Sequence, residues 1–91
     1  MNAPPLHLMM HLREGRLACG IAFAVKFLHD VPIAATCLVS MDGVGKWHGA
    51  CARCRDEEIR IALMPPVLYR LHVHDGASIT IYPPDAEKRT G

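Results

Sequence analysis

The feature that most constrains this chain is a pair of thiols, Cys51 and Cys54, separated by Ala52 and Arg53. Two cysteines at that spacing can close on one metal ion or exchange a disulfide with each other. Either use dictates the local backbone before packing has a say. Two further cysteines, Cys19 and Cys37, and six histidines, His7, His11, His29, His48, His72 and His74, supply more ligand atoms than a neutral domain of 91 residues ordinarily carries. A single domain of this length buries only about 60–65% of its unfolded surface. Such chains gain from a staple, whether a metal, a disulfide or a partner. A metal fits best, because the Cys-x2-Cys spacing suits a metal knuckle and no convincing secretory signal precedes it. The apolar stretch at 17–25 is too short to span a membrane and runs into Lys26. The expectation is a cytoplasmic protein with reduced thiols and no membrane partner.

Composition supports a folded chain. Half of it is hydrophobic (51%) and 21% is charged, which excludes a disordered polar segment. Ten basic residues oppose nine acidic ones, so the net charge of +1 argues against gripping nucleic acid by bulk charge.

Along the chain, residues 1–5 and 85–91 read as flexible ends of one domain covering 1–91. Leu6, Leu8, Met10 and Leu12 alternate with His7, Met9 and His11, which predicts a strand over 6–12. Gly15 suits a turn over 13–16. Residues 21–29 read as a strand, with a short helix as the competing reading, and 35–41 as another strand. Asp42-Gly43-Val44-Gly45 is a turn signal before a return strand that starts near Lys46. After Cys54, residues up to the Pro65-Pro66 stop read as a helix, with Ile59, Ala62 and Leu63 on one face and Asp56, Glu57 and Glu58 near its start; a strand in which Ile59, Ile61 and Leu63 alternate is the competing reading. Tyr69, Leu71 and Val73 alternate with Arg70, His72 and His74; Asp75-Gly76 turns the chain; Ile79 and Ile81 continue it. That is a β-hairpin over 67–82. The fold class expected is α+β: a small zinc-anchored module, treble-clef or ribbon-like, packed on antiparallel strands.

Structural zinc takes four ligands from short knuckles. Cys51 and Cys54 make one knuckle. Cys19, followed by a flexible Gly20, and His11 just before the 13–16 turn are the best partners. His48, three residues before Cys51, is an alternate for His11, and Cys37 an alternate for Cys19. With all cysteines buried as small apolar residues, no metal would be needed.

The run from His11 to Cys19-Gly20, followed by Trp47-His-Gly-Ala-Cys51-Ala-Arg-Cys54, resembles small zinc-finger-like proteins of phages and mobile elements. These carry a His, a Cys-Gly, a variable segment and a Cys-x2-Cys before a helix. The resemblance spans about residues 7–60. It implies a structural Zn2+ held by His11, Cys19, Cys51 and Cys54. The intervening segment, with His29 and Cys37 inside it, is longer than that pattern, and the C-terminal hairpin lies outside it.

Other chemistries have weaker signals. A thioredoxin-like redox pair needs a βαβ context. A nucleophilic Cys37 paired with His29 or His48 has no local signature. A zinc deaminase needs His-x-Glu, which is absent. His72 and His74 point the same way on a strand and could chelate a metal, though a solvated polar face explains them more simply. Arg53, Arg55 and Arg60 could form a basic patch, but the adjacent acids neutralise it. The function expected is a non-enzymatic structural-zinc module that binds a protein partner or a second copy of itself. A nucleic-acid-binding zinc protein and a small metal enzyme using His72 and His74 are the alternatives.

Overall fold

The structure is a computed structural model, and it describes residues 4–20, 29, 31–64 and 70–82. Among these the element order is α1 (Leu6–Arg13), β1 (Cys37–Ser40), β2 (His48–Ala50), α2 (Ala52–Ala62), β3 (Leu71–His74) and β4 (Ile79–Tyr82). The four strands form one sheet in the order β2-β1-β3-β4, antiparallel at every pairing. The α+β class is therefore as expected, and so are the turn at Gly15, the return strand and the C-terminal hairpin.

Residues 6–12 differ from the expectation: they form α1, not a strand. Leu, Met and His contribute no β-branched side chain to this stretch, and Leu and Met are good helix formers. Leu8, Met9 and Leu12 are half-buried and lie on one helical face, whereas the alternate residues Leu6 and Met10 are exposed. The even-numbered alternation misled because Met9, between Leu8 and Leu12 in helical spacing, also completes an apolar helical stripe. The expected strand at 21–29 falls, apart from His29, outside the described residues, as do the Pro65-Pro66 stop, residues 1–3 and residues 85–91; of the N-terminal end expected to be flexible, Pro4 is buried and Pro5 caps α1.

The register fixes which side chains share a face. Cys37 pairs with Ala50, and Val39 with both His48 and Val73; Leu71 pairs with Tyr82. This face receives α2 through Cys54 and Ala62, and Cys37, Val39, Ala50, Leu71 and Val73 form the core with them. Ile59, Ile61 and Tyr82 pack at its margin. The buried stripe of α2 is Cys54, Glu58 and Ala62, spaced four residues apart. The helix begins at Ala52, so its acids sit beyond the first turn, and Leu63 lies exposed just past its end.

The opposite face carries Leu38, Ser40, His72, His74 and Ile81. His72 is only 6% exposed, so the expected solvated face is instead covered. The loop at 41–45 does this. Ser40 Oγ accepts the Gly43 N–H at 2.9 Å and donates to Asp42 Oδ1 at 3.0 Å. Asp42 Oδ1 also accepts the N–H groups of Val44 and Gly45, at 2.9 and 2.8 Å. The loop is thereby folded back until Gly43, at φ +74°, sits so close to the His72 imidazole that a Cβ there would lie 2.6 Å from the ring. Trp47 meets His74 edge-on at 6.4 Å between ring centroids.

Candidate metal centre

Four side chains converge beside the N-terminus of α2. Cys51 stands at the N-cap in extended conformation, and its carbonyl oxygen accepts the first helical bond, from Arg55 N–H at 2.9 Å. Cys54 follows in the first turn. Cys-x2-Cys therefore lies across the end of a helix where amide N–H groups point outward and the dipole favours thiolate. Burial alone would push the Cys51 thiol up; the N–H groups of Cys54 and Arg53, with the thiols of Cys54 and Cys19, outweigh it and hold Cys51 below its ordinary value.

Cys19 reaches the same place by a different route. Residues 17–19 run antiparallel to 33–35: Ala35 N–H bonds to Leu17 oxygen at 2.6 Å, and Cys19 N–H to Ile33 oxygen at 2.8 Å. Ala18 and Ala34 form a bridge between them. This arm is pinned to the sheet where Gly20 N–H donates to Gly49 oxygen at 2.9 Å. Cys19 is thereby delivered next to Cys51.

The fourth group is His29. Its Nδ1 lies 3.0 Å from the carbonyl oxygen of Val31. With Nδ1–H donating there, Nε2 carries the lone pair that can ligate, the usual way an outer hydrogen bond fixes the tautomer of a metal-binding histidine. The ligand atoms of Cys19, His29, Cys51 and Cys54 all lie within 4.8 Å of one another. A tetrahedral site with metal–sulfur bonds of about 2.3 Å needs its sulfurs about 3.8 Å apart, so a small contraction closes the set on one ion. The three thiols are buried, Cys54 to 1% exposure, and all four cysteines are free of disulfides. These four residues could bind a metal ion.

Three of the four residues expected from the sequence are brought together. The fourth, His11, is not: it is exposed on α1, and His29 occupies the place assigned to it. His29 stood in the sequence as one of six histidines, inside a segment with no knuckle spacing of its own, and nothing local marked it as a ligand. Neither alternate joins the cluster. His48 is half-buried on β2, and its imidazole is held below its ordinary pKa by burial and by Lys46. Cys37 is fully buried on the core face of β1, its Sγ donating to Ala50 oxygen at 3.5 Å. Burial pushes its thiol up to about 11, against the opposing charge of Arg55, so it remains a protonated apolar neighbour of the cluster.

The remaining candidates are accounted for structurally. His72 lies beneath Gly43, and His74 Nδ1 accepts the Gly76 N–H at 3.1 Å; among the described residues no third ligating group joins them. Arg55 pairs with Asp56 at 2.9 Å and Arg60 with Glu57, so the basic side chains of α2 are largely neutralised on their own helix. The described sheet has no parallel strands, so the βαβ setting of a thioredoxin-like pair is absent from it. No described helix is long and apolar enough to cross a membrane. No family model, curated protein or solved structure matches the chain.

Proposed function

We propose that this chain is a structural-zinc protein: Cys19, His29, Cys51 and Cys54 hold one Zn2+, and the metal fastens the 17–20 arm and the His29 segment to the start of α2. The convergence of one imidazole and three buried thiols within 4.8 Å carries this reading. A donor set of three sulfurs and one nitrogen favours zinc over harder ions that prefer oxygen. Four protein ligands leave no position for a catalytic water, which supports a non-enzymatic role. In a chain this small, the metal contributes folding free energy directly, of order 10 kcal/mol in apparent binding terms. A knuckle at the N-terminus of a helix, facing an antiparallel arm, supports the treble-clef- or ribbon-like description. Reduced thiols suit the cytoplasm.

The scaffold so fixed would act by presenting apolar side chains to a protein. Leu6, Met10, Val31, Val44 and Met64 are exposed to between 43% and 76%. The neutral balance of charge on α2 supports a protein partner over a nucleic acid.

Elemental mass spectrometry on protein purified without added metal tests the zinc reading. Zinc near one per chain, lost in Cys54→Ser and in His29→Gln, is the expected result. A metal-free chain with four titratable thiols and an intact fold would overturn it. Salt-dependent retention on a nucleic-acid column would move the partner from protein to nucleic acid.

A further inference from the structure

The histidine that the buried cluster does not take lies on α1, together with a second one. His7 and His11 are both exposed and four residues apart. On a strand, residues four apart share a face but stand about 13 Å from each other, too far to share an ion. On a helix the same two residues are stacked one turn apart, with Cβ atoms about 5–6 Å from each other. Two imidazoles at that spacing reach one ion with metal–nitrogen bonds of about 2.0–2.1 Å. A helical His-x3-His pair binds zinc in this way. The change from strand to helix therefore turns two unrelated histidines into a chelating pair.

A second observation points the same way. α1 is eight residues long and buries none of them. Its N-cap is Pro5, which makes no side-chain capping bond, and no acidic residue occupies its first turn. A helix this short, held by the half-burial of Leu8, Met9 and Leu12 alone among its apolar side chains, is marginal in water. A metal bridging His7 and His11 spans a full turn and would add a constraint to it.

We propose that His7 and His11 form a second metal site: exposed, two-coordinate from the protein, completed by water, and open to exchange. It would take a borderline divalent transition ion of the zinc, nickel or copper class, to which imidazole is suited. It differs from the buried centre in having no thiol and two open sides, so it loads and empties without disturbing that centre.

Ni2+ is the probe, titrated into the untagged full chain already carrying its zinc, with binding followed by calorimetry and helicity by far-UV circular dichroism. The expected result is one Ni2+ bound per chain, with a gain in helical signal. His7→Gln and His11→Gln should each weaken binding at least tenfold and abolish the gain, while His48→Gln leaves both unchanged. Both positions are exposed and Gln is a good helix former, so the variants should keep the fold. Zinc content, measured in the same samples, reads the buried centre separately. Ni2+ binding undiminished in either variant, or no binding by the parent chain below millimolar Ni2+, overturns the proposal.

Discussion

Gly49 lies directly against the backbone of Ala18: a Cβ at position 49 would come within 2.8 Å of the Ala18 carbonyl oxygen, and within 2.9 Å of the Leu17 and Ala35 side chains. The arm that carries Cys19 can approach β2, and so reach Cys51, only because position 49 has no side chain. Gly49→Ala should push that arm away, costing about 1–3 kcal/mol as an overpacked contact. It should also lower zinc affinity, since Cys19 moves with the arm. Thermal unfolding and a competition assay with a chromophoric chelator would read the two effects. An unchanged zinc affinity would show that Cys19 reaches the cluster without this contact.

The histidine ligand can be identified by comparing two variants. His29→Gln should lose most of its zinc and melt at lower temperature. His11→Gln should keep one zinc per chain and the parent melting temperature. Elemental analysis of both settles which histidine completes the site.

Cys37 should separate from the other three thiols. Cys37→Ala removes a buried side chain and should cost about 1 kcal/mol or somewhat more, with zinc retained. With Cys54 as a proposed ligand, Cys54→Ser should release the metal and the fold with it. Zinc retained in Cys54→Ser, at unchanged melting, would remove Cys54 from the set.

Two glycines with nearly the same φ give an internal control. Gly15 has φ +70° with nothing within 4 Å of a Cβ, whereas at Gly43, φ +74°, a Cβ would lie 2.6 Å from the His72 ring. Gly15→Ala should cost only the left-handed strain, about 1 kcal/mol. Gly43→Ala should cost clearly more, because His72 is buried and must shift. Chemical denaturation of both variants would show the difference.

The Asp42 carboxyl sits below its ordinary pKa, held there chiefly by the N–H groups of Gly45 and Val44 and then by the Ser40 hydroxyl. A carboxyl with a depressed folded-state pKa stabilises the fold above its unfolded value, about 3.9, and that contribution fades as pH falls through the lower folded value. Asp42→Asn should therefore be less stable than the parent at neutral pH, with faster amide exchange at Val44 and Gly45. The gap should close only as the pH drops below the ordinary carboxyl range. A gap that does not change with pH would mean the loop is held by shape alone.

Short-range chemistry made several parts of the fold readable from the residues alone. Cys51 and Cys54 were legible as a knuckle before a helix, because their spacing brings both thiols to one place and Ile59, Ala62 and Leu63 fit a helical face, though the alternation of Ile59, Ile61 and Leu63 also fitted a strand. Asp42-Gly43 and Asp75-Gly76 had to turn, because glycine takes positive φ and aspartate oxygens accept the N–H groups that follow. Alternation around Leu71 and Val73 was enough to set the C-terminal hairpin. At residues 6–12 the pattern misled, because apolar side chains at 6, 8, 9, 10 and 12 satisfy both periods, and only packing exposed Leu6 and Met10 while half-covering Leu8, Met9 and Leu12. The same ambiguity hid the spacing of His7 and His11. Tertiary structure alone decided which histidine meets the three thiols. Cys19 is brought to Cys51 by the 17–19/33–35 pairing and by the close approach at Gly49, and His29 meets them there, through contacts between residues far apart in the chain. No local rule of spacing encodes them, for they exist only once the sheet has formed.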